Sequence, residues 1–214
     1  MWRILQLADS AFPTGGFAHS AGLEAALHAG TVHGSTGVAR FVEQAILATA
    51  HGLLPFVSAA HRGADVDARC AATLWSHVAT RASRAQGRSL VDVAARSFGI
   101  QSLMELRARI ATEATPGHLA PMFGVVTCAL DVSVDDALAT FLHLQVRSLL
   151  SAAVRLGALG PTEAQALHGR LDPQLDAALA LAKTLTIDDV AQTSPLAELV
   201  QAGQDRLYTR LFQS

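Results

Sequence analysis

Apolar residues recur every three or four positions along most of this chain, and no stretch alternates β-branched or aromatic residues with polar ones between hairpin turns. The clearest run follows Ser133, where Val134, Leu138, Phe141, Leu142, Gln145, Leu149 and Ala152 fall on one helical face. Ser133 is a good N-cap, and the length of this run predicts a central helix.

The remaining segments read the same way. Residues 2–8 form a short helix, and residues 18–29 a second one that Gly30 ends. Ser35 or Thr36 caps a long helix through Phe41, Ile46, Leu47 and Leu53, bent near Pro55 because proline lacks an N–H for the ladder. Asp65 or Asp67 opens a helix carrying Leu74, Trp75 and Val78. Residues 89–114 divide near Gly99 and stop at Pro116-Gly117, and residues 120–130 follow as an apolar helix. Pro161 suits a first helical position, and Leu171-Asp172-Pro173 separates that helix from residues 174–183. Ser194-Pro195 launches a last helix over residues 196–212. With no repeat and no linker, the expectation is an all-α, single-domain irregular bundle of about ten helices spanning residues 1–214.

Composition sharpens this picture. Hydrophobic residues make up 50% of the chain and charged residues 16%, against about 25% charged in ordinary domains, and the mean hydropathy is +0.31. The surplus apolar surface goes into an alanine-rich core or under subunits and partners. A membrane span is a poor alternative: the best candidate, residues 44–60, contains His51, Gly52 and Pro55 and falls short of the ~20 apolar residues required. Gln6 and Asp9 break the first apolar run, which argues against a secretory signal and makes the cytoplasm the expected location. Cys70 and Cys128 are far apart and set among apolar residues, as buried thiols would be. The net charge is −2 and Lys183 is the only lysine, so nucleic acid is not an expected partner. Arg81, Arg84, Arg88 and Arg96 have only Asp92 as a nearby counterweight. Arg81, Arg84 and Arg88 share a helical face, which is either a solvated face or a docking surface for an acidic partner.

Catalytic signatures are missing. The chain has no Gly-x-Ser-x-Gly, His-Glu-x-x-His or Cys-x-x-Cys, and the residues before Lys183-Thr184 hold no glycine loop to cradle phosphate. Nine histidines raise the question of a metal, but none pairs with another histidine or a cysteine at helical spacing. A ligand set drawn from distant segments stays open. His19, Ser20 and Glu24 could supply a base, a nucleophile and a carboxylate, yet adjacent helical residues point about 100° apart. Ser20 as a helix cap is the simpler expectation. No cofactor is implied.

The densest local signal is Asp9-Ser10-Ala11-Phe12-Pro13-Thr14-Gly15-Gly16-Phe17-Ala18-His19-Ser20-Ala21-Gly22-Leu23-Glu24. Pro13 restricts the backbone, Gly15 and Gly16 relax it, and two phenylalanines offer apolar anchors, as in a docked loop. This stretch resembles the N-terminal signature of the UreF family of urease accessory proteins at Asp9, Ser10, Pro13, Gly15, Phe17, His19, Ser20, Gly22, Leu23 and Glu24. The run Asp205-Arg206-Leu207-Tyr208-Thr209-Arg210-Leu211-Phe212-Gln213-Ser214 is similar to that family's closing motif. Weaker echoes lie at Arg81-Ala82-Ser83 with Gln86-Gly87-Arg88, and at Arg155-Leu156-Gly157 with Gly160 and Gln165. The chain departs from the family at Ala158 and Pro161, where proline and glutamine are usual, and at Gln204, where a histidine is usual.

The resemblance implies an all-helical, homodimeric and non-catalytic scaffold in urease maturation. Its implied partners are UreD (also called UreH), the UreG GTPase and, through UreD, the urease apoprotein receiving nickel. A nickel-binding metallochaperone is the alternative. Pro13, Gly15, Phe17, His19, Ser20 and Glu24 at one end, with Arg206, Tyr208, Arg210, Leu211 and Phe212 at the other, are the implied partner-binding residues. On a continuous last helix, Leu207 and Leu211 would share one stripe and Tyr208 and Phe212 another. That segment would then fold back near the loop at residues 13–17 or insert into UreD. Arg210 would bridge to a carboxylate or stack on Phe17.

Overall fold

The computed structural model describes residues 1–214 and contains twelve α-helices, three short 3-10 turns and no strand. The helices are α1 (Trp2–Ala8), α2 (Leu23–His28), α3 (Gly34–Gly52), α4 (Leu54–His61), α5 (Asp67–Thr73) and α6 (His77–Phe98), followed by α7 (Gln101–Ala111), α8 (Leu119–Ala129), α9 (Val134–Arg155), α10 (Pro161–Arg170), α11 (Asp172–Ala182) and α12 (Pro195–Ala202).

The all-α expectation holds, and so does the central role of the segment after Ser133. The Ser133 hydroxyl accepts the Asp136 N–H and opens α9. This helix belongs to both apolar cores. Its first turns send Ala137, Leu138 and Phe141 into a core shared with α4, α6, α7 and α8, where Phe141 meets Phe123 edge to face at 5.2 Å. Its later turns send Leu142, Val146, Leu149, Leu150 and Ala153 into a second core with α2, α3, α10 and α11. Continuous apolar spacing over six turns is what lets one helix serve both.

Several boundaries differ from the periodicity, each for a local reason. Leu74 turns extended, so α5 stops before Trp75, and Ser76 then accepts the Ala79 N–H to start α6 twelve residues earlier than expected. Helix α2 begins at Leu23, not near residue 18, because Ala21 and Gly22 are left-handed, at φ 50° and 88°. Ser194 precedes Pro195 as expected, but its side chain makes no cap bond. Cys70 is buried, its thiol pushed up to about 12 by burial and then by the charge of Asp67. Cys128, expected inside, lies exposed in the last turn of α8, on the side the core leaves uncovered.

The stretch Gly34–His61 and helix Val134–Arg155 are long and apolar enough to cross a membrane, yet half of each apolar window is already buried within the protein. That burial is the signature of core helices.

Two close contacts need glycine. A Cβ at Gly124 would stand 2.3 Å from the Val57 carbonyl oxygen, where α8 crosses α4. One at Gly87 would stand 2.3 Å from the Gly117 carbonyl oxygen and 2.7 Å from the His118 carbonyl carbon. The backbone of residues 117–119 thus packs directly on α6, held from its other side by Asp67, which accepts from Thr115 Oγ1, Gly117 N and His118 N at 2.6–2.8 Å. Replacing Gly87 by alanine is expected to lower the unfolding free energy by about 2–3 kcal/mol through overpacking. Alanine at Gly169 in α10, where a Cβ meets nothing within 4 Å, should be neutral or stabilising by up to ~1 kcal/mol. Equal urea midpoints for the two variants would contradict this packing.

Candidate functional site: a clasp between two distant segments

The site is assembled from the loop before α2 and from residues 203–214. Asp9 closes the loop's first turn by accepting the Ala11 N–H at 2.7 Å, and Ser89 on α6 donates to the Pro13 carbonyl at 2.8 Å. Phe12 tucks against Phe98, ring centroids 6.4 Å apart. Arg147 and Arg155 on α9 donate to the carbonyls of Ala8 and Phe17. The loop is docked, as its anchors imply, but only one of its two phenylalanines is covered: Phe17 stays 75% exposed.

Glu24 organises the other half. It sits in the first turn of α2 and is 2% exposed, and a carboxylate so far from water must be answered by donors. It accepts the Leu211 N–H at 2.6 Å, the Phe212 N–H at 3.0 Å and the Gln204 side-chain amide at 2.6 Å. The positive end of the α2 dipole adds to these. Ser20 donates from its hydroxyl to the Ser214 carbonyl and accepts the Glu24 N–H at 3.3 Å, so its capping role is shared with tail binding. His19 Nδ1 and Ser214 Oγ are hydrogen-bonded at 2.7 Å. Gln213 N donates to the Ala18 carbonyl, and Ser20 N to that of Ser214.

These bonds correct the expected last helix. Two backbone N–H groups that a helix would use internally are spent on Glu24, so α12 ends at Ala202 and a 3-10 turn, Gln204–Arg206, leads into an irregular tail. The proposed stripes of Leu207 with Leu211 and Tyr208 with Phe212 therefore do not form. Phe212 is 2% exposed beneath the Arg155 guanidinium, 4.4 Å from the ring centroid, whereas Tyr208 is fully exposed. Arg210 finds a carboxylate, Asp205 at 2.7 Å, and not Phe17.

The implied residues thus fall into two sets. His19, Ser20, Glu24 and Phe212 lie inside the clasp. The side chains of Pro13, Phe17, Arg206, Tyr208, Arg210 and Leu211 lie outside it, with Gly15 half-buried between. Gln204, Ser214, Arg155 and Asp205 are structural partners that sequence reasoning missed. Asp205 binds Arg81, His77 and Arg210, and these bonds, led by that of Arg210, hold its carboxyl below the usual range. Polarity alone gave no sign of these pairings, since all but that of Arg210 with Asp205 join distant segments.

Cavities of about 240 and 290 Å³ flank the clasp and share His19, Gln86, Leu119, Phe141 and Gln145 as wall. No cluster of three or more His, Cys, Asp or Glu residues is placed to hold a metal. His143 and His168, from α9 and α10, stack at 5.2 Å between ring centroids. The hydroxyl of Ser20 and Nδ1 of His19 are both committed to Ser214, so the arrangement does not form a base and nucleophile pair.

Fold and site together define an all-helical protein whose organised feature is a peptide clasp displaying an apolar and cationic surface. The UreF family profile matches residues 32–172. The chain is 34% identical over 220 residues to urease accessory protein F of Oryza sativa subsp. indica, covering 99% of this chain and 84% of the relative. It is also 34% identical to urease accessory protein F of Arabidopsis thaliana, with 100% and 92% covered, and 33% identical to UreF of Arthrobacter sp. (strain FB24), with 99% and 96% covered. The chain belongs to the UreF family.

Burial lowers the His19 pKa, helped by the charge of Arg81, so the ring is neutral in the closed clasp. The unfolded value, ~6.5, is the higher one. The associated stability is complete above that value and is lost as pH falls through the folded pKa. Acidification from neutral pH should therefore accelerate hydrogen exchange at the Leu211 and Phe212 amides relative to α9, and His19→Asn should flatten the response. Glu24→Gln should cost about 1–3 kcal/mol, because buried donors lose an acceptor. Tail amides that exchange no faster in this variant would refute the clasp as the anchor.

Proposed function

We propose that this protein folds as one domain over residues 1–214 and serves urease maturation in the cytoplasm as a non-catalytic, homodimeric scaffold. In this reading it binds UreD/UreH and recruits the UreG GTPase, so that nickel reaches the urease apoprotein bound through UreD. The observation that carries it is the division of the two family-like motifs. Their buried members spend their polar groups on each other, which fixes the backbone, while Phe17, Tyr208 and Leu211 remain 75%, 102% and 53% exposed and have no role in the core. Exposed aromatics on a fixed framework are what a protein interface uses as anchors. Leu196 and Leu199 on α12, 75% and 69% exposed, add apolar surface for a second subunit.

Two exposed substitutions and one buried one separate interface from framework. Tyr208→Ala and Leu211→Ala should abolish co-purification with UreD while leaving the thermal midpoint unchanged. Phe212→Ala should lower stability by about 3 kcal/mol, because a large side chain leaves a packed site. UreD binding that survives both exposed substitutions would overturn the tail as the anchor. Tight nickel retention by the isolated protein in equilibrium dialysis would favour the metallochaperone instead.

A further inference from the structure

Helix α6 carries a cationic face that the clasp uses only at its edge. His77, Arg81, Arg84 and Arg88 follow one another at three- and four-residue spacing, and with Trp75 and Thr80 they line one shallow concavity. Trp75 precedes the helix and is 73% exposed. The rise of 1.5 Å per residue spreads Arg81 to Arg88 over about 10 Å. This local positive charge stands out on a chain of net charge −2.

The guanidinium groups are already positioned. Nε of Arg84 and of Arg88 donate to the Pro116 carbonyl at 3.3 and 3.1 Å, in the segment that Asp67 and Gly87 hold against α6. Their Nη2 atoms then converge on a single oxygen of Glu113, at 2.8 and 2.7 Å. Arg81 is seated on Asp205 through Nη2 alone, with both carboxylate oxygens within 3.1 Å. Two carboxylates therefore serve three arginines, and Arg210 draws further on Asp205. Glu113 is exposed, so its pairs are readily exchanged for equivalent ones.

We propose that this face is a docking site for an acidic segment of a partner protein, in which carboxylates about one helical turn apart engage Arg84 and Arg88 in place of Glu113. An apolar side chain of the same segment packs on Trp75. The seats favour carboxylate because carboxylates occupy them now, one oxygen of Glu113 between Arg84 and Arg88 and both oxygens of Asp205 on Arg81. Nucleic acid fits less well: the concavity offers one aromatic ring, and the chain's only lysine lies far along the sequence, at Lys183. The inference goes beyond the urease reading and does not depend on it, since the tail variants above leave Trp75 and the three arginines in place.

The test uses the full chain and a labelled synthetic peptide whose glutamates recur at helical spacing beside two leucines. A second peptide has glutamine for every glutamate, and a single-stranded oligonucleotide of equal length is the third probe. Arg84→Glu with Arg88→Glu should weaken the acidic peptide about tenfold or more, with steep salt dependence in the parent protein. Glu113→Gln should tighten it about threefold, because the internal competitor is gone. Trp75→Ala should weaken it with no change in salt dependence. Far-UV circular dichroism checks that each variant keeps its helices. Equal binding of the glutamine peptide, an unchanged affinity in Glu113→Gln, or tighter binding of the oligonucleotide would each overturn the proposal.

Discussion

A carboxylate removed from water has to be met by donors, and at Glu24 those donors come from residues about 180 positions away. That requirement shapes much of the surrounding chain. To bring the N–H groups of Leu211 and Phe212 onto Glu24, the backbone leaves helical geometry after Ala202, and Gln204 turns inward to supply a third donor. Phe212 is drawn into the second core, where it joins α2, α3 and α9. His19 and Ser20 complete the junction through Ser214. Removing the carboxylate would leave the Leu211 and Phe212 N–H groups without an acceptor and Gln204 with only the Phe212 carbonyl, which is why the clasp should open as a unit and not residue by residue.

The helical fold was readable because it rests on short-range physics. Ser133, Pro161 and the spacing from Val134 to Ala152 state where helices begin and which face they bury, and no later contact overrides them. The errors arise where a long-range polar bond competes with local propensity. Residues 203–212 are acceptable helix formers by composition, but three hydrogen bonds to one buried carboxylate outweigh continuation of the backbone ladder. The same competition shortens α2, since Ser20 is bonded to Ser214 and the two residues after it are left-handed. Asp67 was visible only as a helix start; its role in fixing residues 115–118 depends on a loop about fifty positions away.

The site was half legible for a related reason. The two family-like motifs lie on the two segments that the structure brings together. They did not distinguish members that hold the clasp from members that face outward, because both kinds recur in the motif and only burial separates them. Phe17 and Phe212 illustrate this: they are alike in chemistry and motif membership, yet Arg155 covers one ring and donates to the backbone of the other, leaving that side chain in solvent. The glycine echo at Gly87 has an equally specific cause, the 2.3 Å approach of the Gly117 carbonyl to where its Cβ would be.

Asp205 connects these two levels of organisation. It follows Gln204, whose amide is inside the clasp, and its own carboxylate points outward to Arg81 and His77 on α6 and to Arg210 in the tail. The contacts to the framework and to the edge of the cationic face are therefore made by adjacent residues of one 3-10 turn. Each exposed pair in this group is weak by itself, since water screens it. Their geometry nevertheless depends on Glu24, because the turn that presents Asp205 is held by Gln204. A change that loosens the buried junction must then also release Arg81, His77 and Arg210 from Asp205, while Arg84 and Arg88 stay on Glu113 and Pro116, and a change confined to the surface charges can leave the junction closed. That asymmetry follows from burial alone. It explains how a protein with few charged residues can keep an ordered charged surface without building that surface on the surface itself.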